Sequence, residues 1–243
     1  MVTNSNNWYT TVTILSLARG VECRPRRRNA TMLQGDPDWW RLAAVIANED
    51  RLETIRHNAG TEPEFRLYDS LGPVPCVGAI MTAPVVLLLS HPGLDRQSTP
   101  QDYSFHRPGW PLSALHPEAP PGIADIWHSR VAALVDRFGA QHVSNSVAGV
   151  FLTPWRSFAF ADHLRLPSRA RALGLAASAA TRDSILLMMR HQDLWTEHPV
   201  IAALPSTRRF DPRWWRVTEI SERNLGDNAW NALCRRIETH AWI

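Results

Sequence analysis

The chain contains no lysine: its 243 residues include 26 basic side chains, and all of them are arginine. Without a lysine amine, the sequence cannot supply the lysine of a P-loop, the strand lysine of a kinase or a side-chain Schiff base. Enzymes that anchor pyridoxal phosphate through such a Schiff base are therefore excluded. Any positively charged surface must be made of guanidinium groups, which are planar, permanently charged and suited to bidentate contacts with phosphate.

Cysteine is scarce, and the common cofactor motifs are missing. The three cysteines, Cys23, Cys76 and Cys234, form no CxxC pair and are too few for a four-cysteine iron–sulfur cluster. The phosphate loops GxGxxG and GxxxxGK(S/T) are absent, as are the GxSxG motif of α/β-hydrolases and the HExxH motif of zinc proteases. We therefore expect no nucleotide cofactor, no other cofactor and no metal, and we expect reduced thiols in a cytoplasmic protein.

The sequence also lacks a long apolar run. The longest, residues 77–89, is too short to cross a bilayer and is interrupted by Thr82 and Pro84. The N-terminal residues have no basic region of the kind that opens a secretory signal, so we expect no membrane association. A composition of 44% hydrophobic and 20% charged residues is typical of a globular protein. A net charge of +3 and a pI near 9.1 are compatible with nucleic-acid binding without establishing it.

Patterns typical of strands and helices alternate from residue 85 onwards. Apolar runs with β-branched residues predict strands at residues 85–89, 142–152, 184–189 and 216–220. Amphipathic or alanine-rich stretches predict helices at residues 123–138, 167–182, 193–203 and 227–240. Such alternation is typical of an α/β protein in which helices cover both faces of a mainly parallel sheet. We expect a single domain, with a core at 65–240 and an N-terminal elaboration at 1–64.

Two segments outside this pattern are candidates for function. The basic loop at 24–28, which includes Arg26 and Arg27, is either a solvated turn or an arm that contacts phosphates. The polar segment 94–121 is rich in proline, and a connection of this length in a compact domain is usually functional or disordered. Upstream of the core, a helix is predicted at 36–55, because an aspartate that can cap it and a proline precede its first apolar residues.

The residues that follow the predicted strands are polar. In open parallel sheets the ligand crevice lies outside the carboxyl ends of the strands, so these residues are candidates for a site. After the first three strands they are Ser90, His91, Pro92, Gly93, Asp95, Thr153, Arg156, Arg190, His191 and Asp193. At or after the fourth strand they are Glu219, Ser221, Arg223 and Asn224.

Three of these strand ends resemble motifs of the uracil-DNA glycosylase superfamily, nearest to its single-strand-selective monofunctional and mismatch-specific branches. The run LSHPG (89–93) stands where those proteins have Gly-Met-Asn-Pro-Gly or Gly-Ile-Asn-Pro-Gly after the first strand. The run FLTP (151–154) is similar to Asn-Leu-Cys-Pro, and EISERN (219–224) is similar to His-Pro-Ser-Pro-Arg-Asn. The resemblance covers about residues 65–240 and implies a three-layer α/β/α sandwich with a short, mainly parallel sheet that acts on DNA.

The departures from the family pattern fall on three positions that define uracil excision. His91 replaces the asparagine or aspartate that positions water, Phe151 replaces the asparagine that reads uracil, and Glu219 replaces the histidine that stabilises the departing base. Either the alignment is shifted by one or two residues, or the substrate is not uracil. The resemblance extends to prokaryotic glycosylases that remove hypermodified bases from phage DNA, so glucosylated hydroxymethylcytosine is a candidate substrate and antiviral defence a candidate role.

The resemblance implies a role for each candidate residue. Hydrolysis of an N-glycosidic bond places positive charge on the sugar and negative charge on the departing base, so it needs a held water, an anion near the sugar and donors towards the base. His91 or Asp95 would hold the water, and Glu219 takes the place beside the departing base. An extruded base would lie in a pocket formed by Ser90, Pro92, Gly93, Tyr103, Phe105, Phe151 and Thr153. Contacts with the DNA backbone would come from Arg156, Ser221, Arg223, Asn224, Arg26 and Arg27.

These observations together predict a monomeric, monofunctional DNA glycosylase. Because the chain has no lysine to attack the sugar, we expect water to release the base and to leave an intact abasic site, without lyase activity. Three alternatives remain open: a uracil-type repair glycosylase, a catalytically inactive DNA-binding module of the same fold, and an unrelated α/β hydrolase that acts on a small nucleoside or glycoside.

Overall fold

The computed structural model describes residues 39–214 and 217–240. The basic loop with Arg26 and Arg27 and the predicted start of the first helix at Asp36 lie outside the described residues.

A mixed β-sheet forms the centre of the described chain. Its strands are β1 (Cys76–Val77), β2 (Val85–Leu89), β3 (Val147–Phe151), β4 (Ile185–Met188) and β5 (Arg209–Phe210). Their order across the sheet is β1-β3-β2-β4-β5. Only β1 is antiparallel to its neighbour, and the other neighbouring pairs are parallel. The predicted α/β class and the mainly parallel sheet are therefore confirmed.

The central strands are the most apolar segments of the chain. Every residue of β2, β3 and β4 is buried. Strands covered on both faces have continuous apolar runs instead of an alternating pattern, which is why these segments become the centre of a parallel sheet. The sequence-predicted strands at 85–89 and 184–189 are confirmed, since they match β2 and β4 to within one residue at each end.

The α-helices of the described residues contact the sheet and one another. Their bounds are α1 (Trp39–Gly60), α2 (Pro121–Phe138), α3 (Ala140–Ser146), α4 (Arg169–Thr181), α5 (Gln192–Trp195), α6 (Pro199–Ala202), α7 (Glu222–Leu225) and α8 (Asp227–Glu238). Helix α4 contacts β2, β3, β4 and α6, and small buried alanines on one face allow its close approach to the strands. Helices α2 and α3 are joined to α8 by an Arg137–Glu238 ion pair of 2.9 Å and by a bond of 2.9 Å between His142 Nε2 and the Ile237 oxygen.

Three sequence predictions are wrong in their bounds. Residues 142–146 of the predicted second strand belong to α3, because Gly139, at φ +80°, ends α2 and lets a second helix begin at once. The predicted fourth strand at 216–220 is not a strand in its described residues 217–220, and β5 occupies that place in the sheet. The predicted helix at 193–203 is two short helices, α5 and α6, which are separated before Pro199, where the proline restricts the preceding residue.

Helix α2 is kinked in its middle. Val131 has φ −117° and ψ 15°, outside the helical region, although α2 has no proline beyond its first residue. The backbone oxygen of Arg130 accepts a hydrogen bond of 2.7 Å from the N–H of Ile220. A donor inserted beside the i→i−4 ladder is a recognised cause of such a kink. The segment 217–220 therefore bends α2 at Arg130.

Helix α1 is attached to the rest of the chain through a buried carboxylate. Asp50 is fully buried and accepts hydrogen bonds from Trp155 Nε1 at 2.8 Å and from the backbone N and Oγ of Ser168 at 2.9 and 2.6 Å. Trp155 also packs in a small apolar cluster with Leu67 and Leu166. The segment between Trp155 and Ser168 is thus held at both ends by a residue of α1.

Replacement of Gly78 with alanine is expected to lower the free energy of unfolding by about 3 kcal/mol. Gly78 has φ +79°, and an added Cβ would lie 2.6 Å from the backbone oxygen of Val147 and 2.9 Å from Cα of Ala148. Gly72 is a matched control, because it has φ +69° and no heavy atom within 4 Å of an added Cβ. We expect Gly72→Ala to cost only the backbone strain of its φ +69° and ψ 163° conformation, about 2 kcal/mol. Equal losses in urea unfolding would contradict the close contact as the cause.

Candidate functional site

Two neighbouring cavities lie at the carboxyl ends of the central strands. The larger has a volume of about 720 Å³ and is lined by the residues that follow β2 and β4 and by the segment 158–160. Strand β2 is flanked by β3 on one side and by β4 on the other. After β2, the chain adds β3 on one side of it and then β4 on the other, so the order in which strands are added reverses at β2. Open α/β sheets bind ligands at such a switch point.

The smaller cavity, of about 80 Å³, brings together residues from distant parts of the sequence. Its lining includes Pro92 after β2, Tyr103 and Phe105 from the long polar segment, Phe151 at the end of β3, and Arg156. Pro92 and Ile126 line both cavities. The segment 94–121, predicted to be functional or disordered, is thus folded against the core in part and supplies the aromatic wall of this cavity.

His91 lies on the wall of the larger cavity with a defined tautomer. Its Nε2 is 3.2 Å from the backbone oxygen of Ser157. Because a carbonyl oxygen only accepts, Nε2 carries the ring proton and Nδ1 of the neutral ring is an acceptor. Nδ1 is buried and has no hydrogen-bond partner among the described residues. Burial, with a smaller contribution from the charges of Arg190 and Arg130, lowers the pKa of His91 to about 4, so the ring is neutral at pH 7.

Phe160 separates two imidazole rings in the same cavity. Its ring is stacked on His91 with centroids 5.7 Å apart, and the ring of His191 lies 4.6 Å away on a tilted plane. His191 follows β4 and adopts a left-handed backbone conformation with φ +55°. Burial also lowers the pKa of His191. Residues with such backbone strain are found more often at functional sites than elsewhere.

Two guanidinium groups line the larger cavity, and neither forms an ion pair with an acid in the described part of the chain. Arg130 comes from the kink of α2, and Arg190 follows β4. Burial and the charge of Arg190 lower the pKa of Arg130 to about 10. Within the described residues, the Arg130 guanidinium has no hydrogen bond or ion pair. It makes a cation–π contact with Trp127, at 5.2 Å from the ring centroid.

Arg156 and Tyr103 form the polar side of the smaller cavity. The guanidinium of Arg156 lies 4.1 Å from the centroid of the Tyr103 ring, and it donates to the backbone oxygen of Gly93 at 3.2 Å. Its Nε is buried without a partner among the described residues, and burial lowers the pKa of Arg156 to about 10. The structure therefore places a permanent positive charge beside an aromatic cavity.

Asp95, predicted to hold water, lies on neither cavity wall. Its Oδ2 accepts from the backbone N of Gln97 at 3.1 Å and from Oγ of Ser98 at 2.9 Å. The hydroxyl of Tyr103 exchanges bonds with the backbone of Asp95, at 2.7 Å to its N and 3.1 Å to its O. In this structure Asp95 shapes the loop that carries Tyr103.

The predicted C-terminal motif also lies apart from the cavities. Glu219 is exposed, whereas its neighbour Thr218 lines the larger cavity. Asn224 is buried, and its side chain binds the backbone of Trp214, Val217 and Glu219, so its polar atoms are used to shape that segment. The remaining two positions are Ser221, which precedes α7, and Arg223, which is exposed with its guanidinium 5.2 Å from the Trp214 ring centroid.

The remaining predicted residues of the base pocket follow β2 or β3. Ser90 and Gly93 line the larger cavity, and Ser90 Oγ is buried without a partner among the described residues. Thr153 is buried and lines neither cavity, but its backbone N donates to the oxygen of Ser90 at 2.9 Å, which extends the pairing of β2 with β3. The structure therefore brings most predicted members of the base pocket together around two adjoining spaces.

Sequence reasoning missed Arg130, Phe160 and Thr218. A signal for Arg130 exists, because it lies three residues after Trp127 and four before Leu134 and so falls within the buried apolar stripe of α2. An arginine in such a stripe is unusual, since charged side chains are seldom buried without a partner. Phe160 and Thr218 have no comparable signal, because tertiary contacts alone bring them to the cavity.

Stability is expected to fall as the pH is lowered from 6.5 towards 4, partly because of His91. The pKa of this ring is lowered from 6.5 to about 4 in the folded chain, so only the unfolded chain binds the proton between these values. The expected loss between pH 7 and pH 5 is about 2 kcal/mol. His106, His191 and His240 also have lowered pKa values and add to the trend.

The measurement for His91 is therefore a comparison of urea unfolding at pH 7 and pH 5 for the wild type and His91→Asn. Asparagine does not titrate in this range, so the variant should lose about 2 kcal/mol less than the wild type between the two pH values. An equal pH dependence in both proteins would show that His91 is not a buried neutral ring.

Comparison with known proteins gives no relative: no family model, no curated protein and no solved structure matches the chain. In the described part of the chain, every helix falls short of the length and apolar character that a membrane span needs. No group of three or more His, Cys, Asp or Glu side chains in the same residues is placed to hold a metal ion. The geometry of the two cavities is therefore the basis for a functional proposal.

Proposed function

We propose that the protein is a monofunctional DNA glycosylase of the uracil-DNA glycosylase type, with the three-layer fold of that superfamily. One observation carries the proposal. The turn LSHPG, the end of β3 and the aromatic residues of the long segment, which are the parts that the resemblance assigns to base binding, surround one pair of cavities at the switch point of the sheet. Two adjoining cavities lined by a neutral His91 and by aromatic side chains fit the hydrolysis of an N-glycosidic bond.

His91 holds the attacking water in this proposal. The bond from Nε2 to the Ser157 oxygen leaves Nδ1 as the acceptor of the neutral ring. Nδ1 is buried in this structure, so in this proposal water reaches it when the cavity wall opens around the bound nucleotide. A water held in this way attacks the anomeric carbon of the sugar as the bond to the base breaks, and it leaves its proton to solvent or to the ring. No amine takes part, because the chain has no lysine.

Arg156 stabilises the departing base. As the glycosidic bond breaks, the electron pair moves onto the base, and a fixed positive charge beside it lowers the energy of this anion. Arg156 lines the smaller cavity next to Tyr103, whose ring offers a surface for stacking. This assigns to Arg156 the role that the family gives to a histidine at the position of Glu219.

The size of the smaller cavity favours a base without a bulky substituent. Its volume of about 80 Å³ is less than the ~150 Å³ of an engineered cavity that holds benzene, so one planar ring fits only with some opening of the loop. A glucosylated base would need the larger cavity of about 720 Å³ as well. We therefore propose a pyrimidine-sized base as the first substrate to examine, and a hypermodified base as the second.

The test is incubation of the full chain with single- and double-stranded DNAs that carry uracil, hydroxymethylcytosine or glucosylated hydroxymethylcytosine. Abasic sites revealed by alkali cleavage, without strand breakage before alkali, are the expected result. Salt-sensitive binding without product on every DNA would indicate an inactive binding module. Release of base from free nucleosides and not from DNA would refute the glycosylase and indicate a nucleoside hydrolase.

A further inference from the structure

The larger cavity is lined by two arginines that have no part in the proposed hydrolysis. Arg130 and Arg190 both line it, and Asp162 is the one acidic residue on its described lining. The Asp162 side chain is 80% exposed and lies 3.7 Å from a nitrogen of His163, so it does not neutralise the guanidinium groups. The described wall of this cavity is therefore basic.

Arg130 is partly buried, and its Nε is buried without a partner among the described residues. A charged group withdrawn from water is normally paired or hydrogen-bonded. The bond from Ile220 to the Arg130 oxygen holds the helix kink from which this side chain extends. The fold thus places two like-charged side chains, Arg130 and Arg190, on a wall whose one acidic residue, among the residues that the structure describes, is Asp162.

Neutral hydrogen-bonding groups surround the same space. Thr218 lies on the wall, Ser90 has a buried Oγ without a partner among the described residues, and the rings of His91 and His191 are separated by Phe160. Two guanidinium groups with hydroxyl donors are the recurrent recognition elements for a phosphate group, since planar guanidinium binds two of its oxygens at once.

We propose that Arg130 and Arg190 bind a phosphate group in the larger cavity. The inference rests on the proposed function, in which this group is the phosphodiester that flanks the extruded nucleotide. Binding there places the sugar of that nucleotide between His91 and the smaller cavity, with its base towards Tyr103. A free phosphate monoester has the same chemistry and is the second source that the experiment separates from DNA.

The experiment measures two kinds of binding on the full chain. Inorganic phosphate is titrated while the midpoint of thermal unfolding is followed, because a ligand that binds only the folded state raises it. A fluorescent single-stranded oligonucleotide with a stable abasic-site analogue is titrated at several salt concentrations. The variants are Arg130→Leu and Arg190→Gln, and the control is Arg51→Gln, which removes an exposed charge on α1.

The expected results distinguish a loss of phosphate binding from a loss of folding. Phosphate should stabilise the wild type and Arg51→Gln, and should stabilise Arg130→Leu and Arg190→Gln much less. Each cavity variant should bind the oligonucleotide at least about tenfold more weakly, with a salt slope smaller by about one. Without ligand, Arg130→Leu should unfold at the wild-type temperature or above it, because an apolar side chain replaces a partly buried charge whose Nε has no partner among the described residues. Arg190 is exposed, so its variant keeps the test valid if Arg130→Leu does not fold.

Two outcomes of the binding measurements would overturn the inference. One is that phosphate stabilises no protein or stabilises all four equally. The other is that the cavity variants bind the oligonucleotide with the affinity and salt slope of Arg51→Gln. Phosphate binding that depends on both arginines, without DNA binding, would support the phosphate site and overturn the glycosylase. Base release from DNA that persists in the arginine variants with unchanged binding would support the glycosylase and overturn the phosphate site.

Discussion

Replacing Asp50 with alanine is expected to lower the free energy of unfolding by about 3 to 5 kcal/mol, the largest loss that we predict for a single substitution. The carboxylate accepts three hydrogen bonds, from Trp155 Nε1 and from the backbone N and Oγ of Ser168. All three residues are buried. Alanine would leave these donors without an acceptor and without access to water, and each such donor costs about 1 to 3 kcal/mol.

Urea unfolding of three proteins measures this effect. Asp125→Ala is the matched control, because Asp125 is exposed on α2, and it should change stability by less than about 0.5 kcal/mol. The loss of stability for Asp50→Asn should lie between those of Asp50→Ala and Asp125→Ala. The amide keeps one acceptor oxygen but presents a donor to the remaining partners. A loss for Asp50→Ala as small as that for Asp125→Ala would mean that α1 is not anchored through this carboxylate.

His91→Ala is expected to reduce the rate of base release by at least about 100-fold, the range attributed to a positioned acid or base. The side chain would no longer present an acceptor to water beside the sugar. Single-turnover kinetics on the best DNA substrate should show this loss in the chemical step, and the affinity for DNA should change little. We expect the loss in the chemical step because His91 lines the larger cavity with an imidazole ring that is neutral at pH 7.

Two further variants make this test specific. His91→Asn restores a side-chain oxygen that accepts from water, so it should recover part of the lost rate. His128→Ala removes a histidine of α2 that lines neither cavity, and it should retain the wild-type rate. If His91→Ala and His128→Ala release base equally fast, His91 does not hold the water.

The centre of the fold could be predicted from the sequence, and its edges could not. Strands β2 and β4 are continuous apolar runs, which a strand buried on both faces requires. Strand β5 consists of Arg209 and Phe210, whose place is set by pairing with Leu186 and Leu187 and not by composition. Residues 217–220 have the composition of a strand, but the N–H of Ile220 bonds to α2, which is a contact that local patterns do not encode.

The candidate site shows the same division. Pro92, Tyr103, Phe105 and Phe151 were predicted to lie together because of the resemblance, and the structure places them around one cavity. Asp95, which follows the first predicted strand, was predicted to hold water in the mechanism that the resemblance implies, yet its carboxylate bonds within its own loop. Side-chain direction in a loop depends on hydrogen bonds that the sequence spacing does not determine.

The bond between Ile220 and Arg130 joins two parts of the chain that a ribosome makes at different times. Synthesis proceeds at about 5 to 20 residues per second, so the segment that bends α2 emerges on the order of ten seconds after the helix itself. Until then the turn at Arg130 lacks the contact that holds its kink, and the larger cavity lacks Thr218. The nascent chain can form β2 and β3 before it can form a complete site. The phosphate-binding and catalytic properties proposed for this cavity therefore belong to the finished chain.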